Sequence, residues 1–381
     1  MKVVVAMDSF KGSLSAHQAS AAVQRGLERE IPGVRVVCSP MADGGDGTAA
    51  VLRNALDGQW IEEETAGPLP LQRVQAGYLW MPKQGPGALI EMASASGLSL
   101  LGPGQLDPLR TTTVGTGQLL ERAARKGARK LWLTLGGSAT VDGGVGAATA
   151  LGWRFRDHEG LLVEPGGGHL ENIVTLVPPE RATLPECEVL CDVDNPLVGE
   201  RGAARIFGPQ KGATPEQVKQ LETGLENLAL RWREQLGLDL SETPGGGAAG
   251  GFGAGAIAFF GADLKQGGRA VSELTGLAEK LEDASWVITG EGRLDRQSLD
   301  GKVVSAVLEK ALVKGVDVAV IAGQVALSPE EALASGLRVA EAAMPTNLSL
   351  GQALEQAESL LEGAARRFAR SFLESGSNGC R

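Results

Sequence analysis

An apolar run from Lys2 to Met7, a helix-period segment from about Ser15 to Glu30 with Ala19, Val23 and Leu27 on one face, and a second run from Val34 to Cys38 commit the start of this chain to a strand–helix–strand unit. The alternation returns at the far end as strand Trp286 to Thr289, helix Lys302 to Lys314, strand Val316 to Ala322, a short strand near Val339 and a long closing helix from about Leu350. In between, extended segments at Gln59 to Glu64, Val74 to Met81 and Ala88 to Met92 follow one another without a long helix, which suggests a mixed sheet. The expected fold class is α/β with two domains. A doubly wound, Rossmann/flavodoxin-like domain is formed by the two chain ends (1–65 and 285–381), and a mixed α/β domain (66–284) is inserted between them; a simple two-half split is the alternative. With aromatics at only 4% of 381 residues, the core must be built from Ala, Val, Leu and Ile, which suits close helix-on-sheet packing.

Charge and composition exclude several functions. Acidic residues outnumber basic ones 46 to 36, and no Lys/Arg track suited to a phosphate backbone is present, so nucleic acid is not an expected partner. The long uncharged stretch Gly245 to Ala262 is too rich in glycine to drive membrane insertion, and the N-terminal apolar run is too short for a signal peptide; a cytoplasmic protein is expected. Cys38, Cys187, Cys191 and Cys380 show no CxxC spacing, and the three histidines show no transition-metal spacing. The remaining polar clusters use Asp, Glu, Lys, Ser and Gly, the residue types that handle phosphate and magnesium.

These clusters fall just after apolar strands. Asp8-Ser9-Phe10-Lys11-Gly12-Ser13 follows the first strand, where Lys11 offers a point charge and Gly12 open backbone N–H groups to an anion; a polar turn capped by Ser13 or Ser15 is the alternative. Met41-Ala42-Asp43-Gly44-Gly45-Asp46-Gly47-Thr48 follows the second, either as a site carrying carboxylates or as a tight capped turn. Gly136-Gly137-Ser138-Ala139-Thr140, after the strand Leu131 to Leu135, reads as a phosphate cradle with hydroxyl donors, and Asp142 is in reach of a metal-bound water; it lacks the Walker lysine pattern. Asp192 and Asp194, past the strand Glu188 to Cys191, fall on one side by strand alternation and invite Mg²⁺, unless Asp194 or Asn195 merely caps a turn before Pro196. Lys211 in Gly208-Pro209-Gln210-Lys211-Gly212 is a secondary candidate for nucleotide phosphate, and a solvated lysine otherwise. In Gly290-Glu291-Gly292-Arg293-Leu294-Asp295, Arg293 supplies a planar fork for a carboxylate while Glu291 or Asp295 orients it or holds a metal; a structural Arg–Asp pair is the alternative.

Taken in order, DSFKGS, MADGGDGT, GGSATVDGG, CDVDNP, GPQKGA and GEGRLDRQSLDGK resemble the motif series of type I glycerate kinases, spanning about residues 8 to 302. The resemblance implies two α/β domains with the active site in the cleft between them, and ATP-dependent phosphorylation of D-glycerate, in bacterial members usually to 2-phosphoglycerate. Physical reasoning about phosphoryl transfer then suggests roles. Asp192 accepts the hydroxyl proton and Asp194 binds Mg²⁺, with the two able to exchange, and Glu291 is a further metal candidate. Arg293 and Lys11 fix the substrate carboxylate, with Asp8, Ser9, Asp43 and Asp295 around the substrate, and Gly136, Gly137, Ser138, Thr140 and Lys211 hold the nucleotide. A kinase for another small hydroxy-acid or polyol, or a non-catalytic nucleotide or metabolite sensor, is the competing reading.

Overall fold

The computed structural model describes residues 1–181 and 184–378, so Cys380 lies outside the described residues, and the chain forms two compact units. The terminal unit comprises Met1–Asp43, Ala50–Ala55 and Gln266–Arg381; the inserted unit comprises Gly44–Ala49 and Leu56–Lys265.

In the terminal unit a five-stranded sheet runs in the order Val339–Ala342, Asp317–Ala322, Trp286–Gly290, Lys2–Met7, Arg35–Cys38, and every neighbouring pair is parallel. Chain order therefore reverses direction at the first strand: the second strand lies to one side of it and the later three to the other. Doubly wound sheets open their ligand crevice beyond the carboxyl ends of the strands flanking such a reversal. Parallel strands covered on both faces must be apolar throughout, and Val3, Val4, Val5, Ala6 and Met7 are all fully buried. The helix Ala16–Glu30 starts on a capping box in which the Ser15 hydroxyl accepts from the Gln18 N–H while the Gln18 side chain reaches back. Its Ala19, Val23 and Leu27 join Leu361, Ala365 and Phe368 of the closing helix Ala357–Asn378 in one core cluster. The larger of these, Val23, Leu27, Leu361 and Phe368, each contribute roughly 1.5–3 kcal/mol. Arg366 and Arg370 on the closing helix pair with Glu30 and hold its carboxyl well below the usual range, at about 2.

The inserted unit carries a six-stranded mixed sheet in the order Asp263–Lys265, Glu186–Leu190, Lys130–Thr134, Gly87–Glu91, Arg73–Met81, Gln59–Ala66. Its first four strands are parallel and the last two run antiparallel, as the run of extended segments without helices suggested. A second layer of apolar contacts surrounds Phe259, which takes Trp153, Phe155 and Trp232 edge-on at ring-centroid distances of 5.1, 5.5 and 5.6 Å. A helix capped by Thr214 is α-helical over Pro215–Arg231 and ends in a wider turn at Trp232–Leu236. The glycine-rich stretch after Pro244 forms the helix Ala248–Phe260, whose opening residues Ala249, Gly250 and Gly251 have left-handed backbone angles. A side chain on Gly250 would lie 2.1 Å from the Thr140 carbonyl, so close packing against the 140–144 segment is what these glycines provide. Among the described residues no helix is long and apolar enough to cross a membrane.

Candidate active site

In the terminal unit the ends of two adjacent parallel strands, Met7 and Gly290, are paired, and each is followed at once by a carboxylate, Asp8 and Glu291. The Asp8 N–H donates to the Gly290 carbonyl at 2.9 Å, and the Ser9 N–H donates to Asp8 Oδ1 at 2.6 Å, which fixes the carboxylate at the sheet's edge. Beyond it the chain doubles back, Phe10 N–H to Leu14 carbonyl at 2.8 Å, leaving Lys11 exposed at the tip of the turn. Met41 hydrogen-bonds to the Met7 carbonyl at 2.9 Å, and this carries Asp43 to the same edge. After Glu291, Arg293 lies 3.7 Å from Asp295, which itself caps the short turn Arg296–Leu299 by accepting from the Gln297 N–H.

These groups line one cavity of about 390 Å³. Its lining combines charged groups, Asp8, Asp43, Glu291, Lys11, Arg293 and Lys302, with apolar ones, Phe10, Met344, Leu354 and Leu361. Burial, then the charge of Asp43, pushes the Asp8 carboxyl up to about 7, against the Ser9 N–H that favours its ionised form. Burial also raises Glu291, opposed by the Ser298 hydroxyl and the Lys302 charge, and Glu291 Oε1 is buried without a hydrogen-bond donor. Adjacent acids displaced upward in a cleft that also holds cations mark a place built to receive a charged ligand. Lys302 was missed as a site residue in the sequence, although it closes the last motif; its position just before the helix Val303–Lys314 was the available signal.

The inserted unit presents a second cluster. The loop after the strand Lys130–Thr134 is pinned by Leu98 N–H to the Gly137 carbonyl at 2.8 Å and by Ala139 N–H to the Ser96 carbonyl at 2.9 Å. The Gly44–Ala49 segment packs on it so closely that a side chain on Gly136 would lie 2.9 Å from Gly45 Cα, and one on Gly137, whose φ is +69°, 2.9 Å from Asp46 Oδ1. Only glycine fits there. The two motifs, far apart in sequence, therefore form one surface, with Gly137 exposed.

The rest of this loop departs from expectation. Ser138 and Thr140 face inward, at 6% and 0% exposure, and the Lys211 amine donates to Ser138 Oγ at 2.8 Å and to the Thr140 carbonyl at 2.7 Å. Lys211 is not a solvated lysine: it is 2% exposed, and burial lowers its pKa to about 7. None of the three reaches a ligand directly as it stands. Asp142 is not available to a metal-bound water either. It is fully buried, and its carboxylate accepts from the N–H and hydroxyl of Thr113 and from the N–H groups of Gly144 and Gly146.

Asp192 and Asp194 lie past the end of their strand, which stops at Leu190, so the alternation that put them on one side does not extend to them. Asp192 is half-buried. Asp194 is exposed, with both oxygens held by Arg201 at 2.7 and 2.8 Å, and that guanidinium lowers its pKa. As it stands, Asp194 is a surface ion-pair partner of Arg201. Among the described residues, no three Asp, Glu, His or Cys side chains converge as a preformed metal site.

An acid- and cation-lined crevice at the reversal point of a parallel sheet, together with a glycine loop of open backbone in a mixed α/β unit, defines the class: a small-molecule kinase of the α/β type. Residues 3–373 match the glycerate kinase family, and the chain belongs to it. It is 43% identical to a glycerate kinase of Halalkalibacterium halodurans, with 96% of this chain and 97% of that one covered. It is 42% identical to the glycerate 2-kinase of Escherichia coli K12 over 80% of each. The solved structure of glycerate kinase 2 from Salmonella typhimurium LT2 superposes with a TM-score of 0.85 at 40% identity, covering 99% of both chains.

Proposed function

We propose that this protein transfers the γ-phosphoryl group of ATP to a hydroxyl of D-glycerate, giving phosphoglycerate, with the 2-hydroxyl as acceptor and the cytoplasm as its place of action. The observation that carries this is the crevice in which Arg293, Lys11 and Lys302 stand beside Asp8, Asp43 and Glu291: a small acid with hydroxyl groups needs cations for its carboxylate and carboxylates for its hydroxyls. Arg293 receives the glycerate carboxylate bidentately and Lys11 adds a movable charge. Asp43 and Asp295 orient the hydroxyl groups, with the Ser9 backbone beside them.

The attacking hydroxyl must lose its proton as its oxygen bonds to phosphorus and the bond to the ADP oxygen breaks. We assign that proton to Asp8 in preference to Asp192. Asp8 shares the crevice with the cations, and a base whose pKa lies near the working pH combines availability with driving force. Backbone N–H groups of Gly136 and Gly137 hold nucleotide phosphate. Magnesium, when bound, supplies the positive charge that offsets repulsion between the phosphates and the incoming oxygen. Magnesium keeps several of its waters and needs only one or two carboxylates, so a three-ligand cage is not required. Glu291, with a buried oxygen lacking a donor, fits that demand, while Asp194 would first have to leave its surface pairing with Arg201.

The test is a coupled ADP-release assay on the purified protein with MgATP and D-glycerate, followed by phosphorus NMR of the product. Formation of 2-phosphoglycerate supports the proposal. Turnover with another hydroxy-acid or a polyol but none with glycerate overturns the substrate, and nucleotide binding without any turnover overturns the reaction.

A further inference from the structure

The short segment Gly208-Pro209-Gln210-Lys211-Gly212 makes a single tight turn, Pro209–Lys211, that ends on a left-handed Gly212. Its geometry turns the lysine inward. Enclosing an amine is costly unless its N–H groups find acceptors. Here they find Ser138 Oγ and the Thr140 carbonyl, both on the loop that begins with the outward-facing Gly136 and Gly137. From the other side the same loop is fixed by the Gly45–Asp46 backbone and by the 96–98 segment. The loop is thus clamped at its front by packing that only glycine tolerates, and at its back by one buried side chain. Phosphate never reaches that side chain as the loop stands. Among the described residues, Asp142 is the charged group that acts on the amine, and its carboxylate accepts from Thr113, Gly144 and Gly146.

We infer that Lys211 is a positioning residue for the nucleotide loop: by holding Ser138 and Thr140 it sets the direction of the Gly136 and Gly137 N–H groups, and it is not itself a phosphate ligand. This rests on the reading that the loop holds nucleotide phosphate. Burial keeps the amine titrating near neutrality, with Asp142 opposing the shift. A phosphate brought to the front of the loop places negative charge near it and favours the protonated form. Nucleotide binding therefore takes up a fraction of a proton near pH 7.5.

The experiment uses the full chain and three variants, each first shown by thermal melting to be folded: Lys211→Met, which keeps the aliphatic stem; Ser138→Ala, which removes one acceptor; and Gly137→Val, at the outward face. Steady-state kinetics are measured for MgATP and for glycerate, and ADP binding is measured by calorimetry in two buffers of different ionisation enthalpy. Lys211→Met is expected to raise the KM for MgATP at least tenfold while the KM for glycerate stays within twofold, and to change the buffer-dependent heat seen with the unaltered protein. Ser138→Ala is expected to raise the nucleotide KM about threefold to fivefold, by loss of one hydrogen bond worth about 1 kcal/mol. A folded Lys211→Met protein with unchanged nucleotide KM and unchanged buffer dependence overturns the inference. If Lys211→Met does not fold, an unchanged nucleotide KM in Ser138→Ala together with no buffer-dependent heat in the unaltered protein overturns it instead. Unchanged nucleotide KM in Gly137→Val removes the loop reading itself. An impaired Gly137→Val beside an unimpaired Lys211→Met removes only the role of Lys211.

Discussion

Replacing Asp8 with Asn should make this protein more stable at alkaline pH while disabling it. A carboxyl raised from 3.8 to about 7 is protonated in the folded chain and ionised in the unfolded one across that interval. The native state then binds the extra proton, so stability is fully present below the unfolded value and is lost as pH rises through about 7. At 1.36 kcal/mol per unit the displacement corresponds to about 4 kcal/mol, and the solvent on the open side of the crevice reduces what folding registers to roughly 1–3 kcal/mol. Asparagine keeps the oxygen that accepts from the Ser9 N–H and carries no charge toward Asp43. Urea melts of both proteins with EDTA present should therefore separate by roughly 1–3 kcal/mol at pH 8, the variant being the more stable, and the gap should shrink to less than half of that at pH 5, closing only below the unfolded value of 3.8. Turnover of the variant should fall by about 10²-fold or more, the usual cost of losing a general base. A difference in stability that does not change between pH 5 and 8, or a variant less stable at pH 8, would refute the claim that burial holds this carboxyl neutral.

Arg293→Ala should raise the KM for glycerate about tenfold or more with the melting temperature unchanged, since the side chain is 64% exposed and its pairing with Asp295 is loose; steady-state kinetics and a thermal melt check both. Asp142→Asn should destabilise the fold by about 2–4 kcal/mol in urea melts, because the new amide turns a donor toward N–H groups that need an acceptor. Gly250→Ala should cost at least about 2 kcal/mol, since the added methyl meets the Thr140 carbonyl at 2.1 Å on a backbone with φ +70°. The same melts measure it, and the nucleotide KM should rise with it because Thr140 belongs to the loop.

Most of the motifs were placed by their linear order because, apart from GPQKGA, which follows the helix Ala203–Phe207, each comes soon after a strand, and strands are the segments whose burial leaves the plainest mark in sequence. Asp8, Lys11, Asp43, Glu291, Arg293 and Asp295 were all named from that rule, and all line one cavity. The strand carrying Cys187 and Val189 stops at Leu190, so Asp192 and Asp194 follow it in irregular backbone, where strand alternation no longer sets side-chain direction. Exposure was less legible still. Lys211 reads as solvated in any local window, and only the Pro209–Gly212 turn aims it at Ser138 and Thr140, some seventy positions earlier in the chain.

By itself the sequence determined the alternation of strands and helices, the capping boxes at Ser15 and Thr214, the glycine loops and the supply of carboxylates and cations, because each of these depends on residues a few positions apart. Tertiary structure alone decided which strand neighbours which, and so that Met7 and Gly290 end side by side. It also decided which polar groups are buried: Asp8 is carried to a pKa of about 7 by its neighbours' charge and by lost water, and Lys211 and Asp142 are turned into internal braces. Desolvation and close approach belong to a residue's surroundings, and those are assembled from segments tens to hundreds of positions apart.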